Sequence, residues 1–416
     1  MNTPAATSWK PRFWSLMATQ FQNAFSDNAL KNLVILLVLA HPLTEAQRHA
    51  HVALAGALFA APFILFSMLG GWLADRFSKQ QVMRTVKVSE VAIMLFAALS
   101  LYLHSLPLQL GAIFLMGCHS AIFGPSKYGI LPELLPNDLL SWGNGILELL
   151  TFLGIIAGTV TGSFFAGTFT DSAWIAGLIL SGIAVIGWFC SAGIGETPAA
   201  NPQAPARINP INDLVSELRK MSQDRDLWRA NWGNTGFFFL AALVQMNLIL
   251  HAKEVLHLSE TQNGLLNAAL AIGIGVGSVI AGYASHGKIE YKLVPIGATI
   301  MAGATMPMGL TATSVNLFST ALVCLGLGAG LFIVPIAAVL QHRPSADSKG
   351  AVQGAASVLS FVGILGASGV QFVLNESLGF TSGVVFWFCG ITALLTGGYV
   401  AYSRRNELFG ATKSST

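Results

Sequence analysis

Charge is what this chain has least of. Asp, Glu, Lys and Arg make up 10% of its 416 residues, against about 25% in an average soluble domain, too few to cover a surface that faces water. Cysteine is sparse as well. Cys118, Cys190, Cys324 and Cys389 stand singly in apolar stretches with no CxxC and no Cys/His spacing, which excludes a disulfide frame and a cysteine metal site and leaves them as packing residues. The formal charge of +3 is too small for a nucleic-acid partner. No nucleophile, base and orienting group fall at a spacing that builds an enzyme site. No cofactor motif occurs either: glycine runs such as Gly273, Gly275, Gly277 and Gly282, or Gly326, Gly328 and Gly330, lie inside apolar stretches, where they let helices approach closely and do not cradle phosphate. Histidines are expected mostly in loops (His41, His49, His51, His104, His251, His257, His286, His342), without metal-ligand spacing.

Apolar length is what the chain has instead, with 53% hydrophobic residues. A membrane helix needs about 20 mostly apolar residues, and the pattern predicts twelve, at 13–40, 50–74, 82–104, 108–128, 139–166, 172–195, 229–252, 262–285, 291–312, 315–341, 350–375 and 379–403. No small-residue cleavage site follows the first stretch, so it is expected to be retained as a helix. With the N-terminus in the cytoplasm, every Lys and Arg except Lys31, Arg48 and Lys253 falls at a cytoplasmic end or loop, the tail residues Arg404, Arg405 and Lys413 and the linker residue Arg207 included. Such a bias orients a multi-pass protein. Both termini and the central linker are then cytoplasmic. The linker is Pro-rich at its start (Pro198, Pro202, Pro205, Pro210) and then amphipathic, with Ile211, Leu214, Val215, Leu218 and Met221 at helical spacing beside Arg219 and Lys220, as in a helix lying on a membrane face. The expected organisation is a six-helix bundle over 1–195, a linker over 196–228 and a second bundle over 229–416.

The halves resemble each other. Asn144-Gly145 followed by Phe152-Leu153-Gly154-Ile155 returns 209 positions later as Gln353-Gly354 followed by Phe361-Val362-Gly363-Ile364, and Pro125 returns 210 later as Pro335. A six-helix unit repeated once in parallel is the architecture of major facilitator transporters. The predicted class is therefore an all-α membrane protein of the major facilitator fold, two six-helix bundles with pseudo-two-fold symmetry. Gly71-Trp72-Leu73-Ala74-Asp75-Arg76-Phe77-Ser78-Lys79-Gln80, after the second helix, resembles that superfamily's loop signature. The resemblance implies a conformational latch made of Gly71, Asp75, Arg76 and Lys79. Ser78 and Gln80 depart from the signature, and Gly282-Tyr283-Ala284-Ser285-His286 in the second half keeps its Gly without its acid.

Within the first helix, Gln20, Asn23, Asp27 and Lys31 step by three, four and four and share one face. Ionisable groups in a membrane cost at least about 2.5 kcal/mol each on insertion scales, so they face a bundle interior or a watery cavity. One reading is an internal charge pair, Asp27 with Lys31; the other is a transport route. Lys127 in Gly124-Pro125-Ser126-Lys127-Tyr128-Gly129, a string expected to break the fourth helix, and Asn144 with Glu148, one turn apart on the fifth, are the further candidates. Lys87 and Glu90 read as a structural pair near the cytoplasmic edge. The seventh helix offers Gln245 but nothing ionisable between Arg229 and His251.

Phe25-Ser26-Asp27-Asn28-Ala29, Gly124-Pro125-Ser126-Lys127-Tyr128-Gly129-Ile130-Leu131-Pro132-Glu133-Leu134, and Asn144-Gly145 with Glu148 resemble the bacterial lysophospholipid transporter family. They are also similar to transporter domains fused to glycerophospholipid acyltransferases. The resemblance implies a flippase that moves lysophosphatidylethanolamine-like lipids from the outer to the inner leaflet of the inner membrane by alternating access, with a cytoplasmic acyltransferase as partner, no cofactor and a monomeric chain. It implies functional roles for Asp27, Lys127, Asn144 and Glu148, beside which Asn23, Asn28 and Gln245 are further candidate substrate contacts. That family is expected to carry a basic residue about where Gln245 stands. An ion-coupled transporter of a soluble solute or drug, and a non-transporting membrane partner of an acyltransferase, remain as alternatives.

Overall fold

A computed structural model describes residues 9–40, 44–170, 172–205, 209–310 and 314–401; Arg207, Arg404, Arg405 and Lys413 of the basic-residue argument, and His41, lie outside them. The described residues form thirteen α-helices: α1 (Trp9–Ala40), α2 (Glu45–Arg76), α3 (Lys79–Tyr102), α4 (Leu106–Leu134), α5 (Leu140–Thr168), α6 (Trp174–Ala192), α7 (Pro210–Met221), α8 (Arg225–Glu254), α9 (Glu260–Ala284), α10 (Leu293–Met308), α11 (Val315–His342), α12 (Lys349–Phe372) and α13 (Ser382–Ala401). Ten are long and apolar enough to cross a membrane. The expected twelve are completed by α10, short at 16 residues, and by α1, whose hydropathy is lowered by the polar groups it turns inward. Apolar side chains on the outside, such as Phe189 at 64% and Leu395 at 69% exposure, invert the soluble pattern because lipid is the solvent.

Helix starts follow local chemistry. Thr44 with Gln47 and Ser259 with Gln262 form capping boxes on α2 and α9, satisfying backbone N–H groups that have no intrahelical partner. Asn209 Oδ1 accepts from the amides of Ile211 and Asn212, and Pro210 occupies the first turn of α7, where its missing N–H is no loss. That amphipathic helix buries Glu217 and Met221 and leaves Ile211 and Val215 exposed beside Arg219 and Lys220. The Gly124-to-Gly129 string does not end α4: the helix continues through Pro125 and Pro132 to Leu134, since one missing N–H is tolerated where neighbouring helices pack against the turn. His251 is likewise no loop residue. It sits in the last turn of α8, buried, bonded to Ser382 Oγ at 2.8 Å and stacked on Phe318; His51 belongs to α2 and His342 to α11.

The chain forms two compact units that exchange short segments between the sequence halves. The first comprises 1–136, 153–213 and 345–357, and the second 137–152, 214–344 and 358–416. In the first, α1 packs on α4 and α6, and α3 on α4 and α6; its apolar centre includes Leu30, Leu33, Met94, Ile113, Met116 and Leu180. In the second, α11 packs on α9 and α10, and α13 on α8 and α10.

At the start of α8, Asp224 caps the helix through the amides of Asp226 and Leu227 and accepts from Arg343 Nε at 2.6 Å. Arg343 also lies 3.2 Å from Asp226. Burial disfavours the Asp224 carboxylate, but the bond from Arg343 and the helix amides outweigh it and hold the group below the ordinary carboxylate range. A carboxyl depressed by folding stabilises the protein above its unfolded value and loses that contribution as pH falls through the depressed one. Arg343→Ala is therefore expected to lower the melting temperature at pH 7, with the gap from wild type closing below the ordinary carboxyl range. A gap that ignores pH would show that the pair contributes nothing.

Candidate functional site

The polar face of α1 turns into the first unit. Asp27 accepts from Ser120 Oγ at 2.7 and 3.0 Å and from Asn23 Nδ2 at 3.2 Å, and it is 8% exposed. Its direct partners are thus neutral donors. Among the described residues Asp27 and Lys31 form no direct ion pair, though each charge acts on the other; the Lys31 ammonium lies 5.0 Å from the Phe59 ring centroid.

Asp27 is one end of a larger network. Lys87 Nζ donates to Glu90 Oε2 at 2.5 Å, Gln22 Oε1 at 2.7 Å and Asn23 Oδ1 at 3.1 Å, while Gln22 Nε2 donates to Glu90 Oε1 at 2.8 Å and Ser26 Oγ at 2.7 Å. His119 closes the circuit: its Nε2 is 3.5 Å from Glu90 Oε2 and its Nδ1 is 3.4 Å from Ser120 Oγ. The ring stacks on Phe123, over which Lys87 also lies. Lys87 and Glu90 are fully buried, and Lys87 stands eight residues, about 12 Å, into α3. The structural pair read from the sequence is thus an ion pair buried within the first unit. His119, Ser120 and Gln22 were not singled out from the sequence. A lone His in an apolar helix, with a Lys/Glu pair at i,i+3 in another, is the signal that was available.

Of the other candidates, Lys127 is seven residues from Ser120, close to two full turns, so it lies on the same face of α4 about 10.5 Å along the axis. Its ammonium sits 4.2 Å from the Tyr128 ring centroid. Asn28 donates to Ala24 O of its own helix at 2.8 Å. In the second unit, Asn144 and Gln341 exchange both amide hydrogen bonds, at 2.9 and 2.7 Å, so Asn144 is engaged in tying α5 to α11. Glu148 is buried on the same helix, and Gln245 is exposed on α8.

The loop-signature residues hold the first unit's 345–357 segment and the start of the linker. Asp75 accepts from the amides of Gly350 and Ala351 at 2.7 and 2.8 Å, where the positive end of the α12 dipole favours a carboxylate. A Cβ on Gly71 would stand 2.5 Å from Gly350 O, so only glycine allows that approach. Arg76 donates to Ala204 O at 2.7 Å and stacks on Trp72. The fully buried Lys79 pairs with Glu133 at 2.5 Å.

Comparison with known proteins agrees with this architecture. The sequence profile of the Major Facilitator Superfamily matches residues 16–368. The human organic anion transporter MFSD10 superposes with a TM-score of 0.78 at 15% identity, covering 96% of this chain and all of that one. The transporter FucP in its outward conformation gives 0.76 at 11%, covering 95% and 99%. At such identities these structures show the fold alone. Among curated sequences, the lysophospholipid transporter LplT of Klebsiella pneumoniae (strain 342) is 30% identical over 345 residues, 79% of this chain and 80% of that protein. That of Photorhabdus laumondii is 29% identical over 345 residues, 79% of each. The chain is thus a multi-pass membrane protein of a transporter family, not an enzyme, and it belongs to the lysophospholipid transporter family of the Major Facilitator Superfamily.

Proposed function

We propose that the protein moves lysophosphatidylethanolamine-like lipids from the outer to the inner leaflet of a bacterial inner membrane, with both termini cytoplasmic. The observation that carries this reading is a buried carboxylate, Asp27, whose direct partners are neutral donors, with Lys127 on the face of α4 that carries its donor Ser120. A zwitterionic headgroup brings an amine for the first and a phosphate for the second, replacing its own hydration. Its single acyl chain has apolar helix walls and lipid to follow. Asn23 is the bridge between Asp27 and Lys87, so it acts here as a positioning residue for Asp27. Asp75, Arg76 and Lys79 belong to the proposal as the latch whose release lets the site open alternately to each leaflet.

The test is leaflet-selective uptake of labelled lysophosphatidylethanolamine into liposomes holding the purified protein. A charge-assisted hydrogen bond is worth about 1.5–3 kcal/mol, so Asp27→Ala and Lys127→Ala should each slow uptake roughly ten- to a hundredfold. Wild-type rates in both variants would remove the site assignment. Uptake of a soluble solute with no lysolipid movement would favour the ion-coupled alternative.

A further inference from the structure

An open groove of about 480 Å³ runs between α8, α12 and α13, wholly within the second unit. Glycine sets its floor. A Cβ on Gly236 would stand 2.7 Å from the Thr396 methyl, and one on Gly363 would stand 2.9 Å from Thr235 O, so the helices approach there as closely as backbone allows. Trp232 and Phe239, seven residues or about 10.5 Å apart along α8, form one wall, and Leu395 and Tyr399, one turn apart on α13, form another. The hydroxyls of Thr235 and Thr396 donate to Asn231 O and Thr392 O of their own helices at 3.0 and 2.8 Å, which leaves the interior apolar. An apolar cavity of about 150 Å³ takes the six carbons of benzene, so this groove has room for on the order of eighteen. That is one acyl chain.

One end of the groove is cationic and aromatic. Arg229, one turn before Trp232, lies 5.8 Å from the Tyr399 ring centroid, and Arg225 is exposed one turn earlier. Trp228 stands edge-on to Trp232 with ring centroids 5.7 Å apart. The two carboxylates at this helix start, Asp224 and Asp226, are both met by Arg343, so Arg225 and Arg229 leave the end net positive. Tryptophan and tyrosine beside arginine suit the level of lipid headgroups, and basic pockets on the cytoplasmic side of membrane helices bind anionic ones. We propose that the groove binds one acyl chain of an anionic bilayer phospholipid, whose phosphate meets Arg229. The guanidinium offers that phosphate a bidentate contact, and an anionic lipid brings no cation of its own to oppose it. In the proposed orientation this lipid belongs to the inner leaflet. The lipid is not the transported one: Asp27 and Lys127 stand in the first unit, and the groove is a site of the second.

Two readouts test the site without any transport measurement, so the lysolipid reading can fail and leave it standing, or the reverse. In the first, purified protein in detergent is titrated with phosphatidylglycerol or phosphatidylcholine, and bound lipid is counted by native mass spectrometry. One phosphatidylglycerol should bind roughly fivefold more tightly than phosphatidylcholine, the preference expected from one arginine near a headgroup. Arg229→Gln should bring the two lipids to parity, whereas Arg229→Lys, which keeps the cation, should retain most of the difference. Equal binding by the wild type, or a preference that survives in Arg229→Gln, overturns the anionic site. In the second, phosphatidylglycerol brominated along its chains is added to wild type and to Trp232→Phe. It should quench a part of the tryptophan fluorescence that the variant lacks, and that quenching should saturate with the first lipid bound. Identical quenching in the two proteins overturns the placement in the groove, however the Arg229 variants fold. A dimer that excludes the lipid would overturn it too, by showing that a second copy covers this face.

Discussion

Glu90→Ala is expected to destabilise the protein by about 3–5 kcal/mol, the loss usual when one partner of a buried ion pair is removed and the other stays behind as an uncompensated charge. Here the survivor is Lys87, fully buried, with only the neutral oxygens of Gln22 and Asn23 left to it. Since Gln22 also loses its acceptor on Glu90, the three helices α1, α3 and α4 loosen together. Thermal unfolding in detergent should show the loss as a large fall in melting temperature. The control is the double variant Lys87→Met/Glu90→Met: apolar side chains of similar volume often replace a buried pair at little net cost. It should be markedly more stable than the single variant. If the single and double variants unfold at the same temperature, the buried charge is not the cause.

Gly158→Leu should be the second severe change. Along α5, Gly154, Gly158 and Gly162 recur every fourth residue and face the backbone of α1. A Cβ on Gly154 would stand 2.7 Å from Phe21 O, one on Gly162 would stand 2.6 Å from Ala29 O, and one on Gly158 would run into the Phe25 carbonyl. These obstacles are backbone atoms of a helix, so no rotamer relieves them. In membranes, where lipid is as apolar as the side chains, close packing of small residues is a main force holding helices together. Overpacking ordinarily costs about 1–3 kcal/mol and sometimes more; a leucine here belongs at or above the upper end. The expected result is protein that inserts but aggregates on extraction, whereas Gly182→Leu, with nothing within 4 Å of its Cβ, should behave as wild type. Equal behaviour of the two variants would mean that α5 does not depend on this approach.

These two cases mark the limit of what the order of residues discloses. Helix periodicity, the scarcity of charge and the repeat at an offset of 209 are local or statistical properties, readable without knowing any contact, and they predicted the membrane class and helix positions to within a few residues. Asp27 was legible for the same reason: a carboxylate in an apolar stretch needs an explanation wherever it points. Its partners were not. Gln22 meets Glu90 across 68 positions, Ser120 meets Asp27 across 93, and Asn144 meets Gln341 across 197; spacing along one helix says which residues share a face, not which face of another helix lies opposite. That is why Lys87 and Glu90 read as an isolated pair without Gln22, and why His119 was not singled out.

The sequence by itself determined that lipid is this protein's main solvent, that its helices come as a repeated set, and that certain ionisable groups must be sheltered within them, because insertion energetics act on each stretch separately. Only the tertiary structure decided which of those groups pair directly and which take their hydrogen bonds from neutral donors. Hydrogen bonds and ion pairs between helices depend on ångström-scale packing, and packing is a property of the assembled bundle.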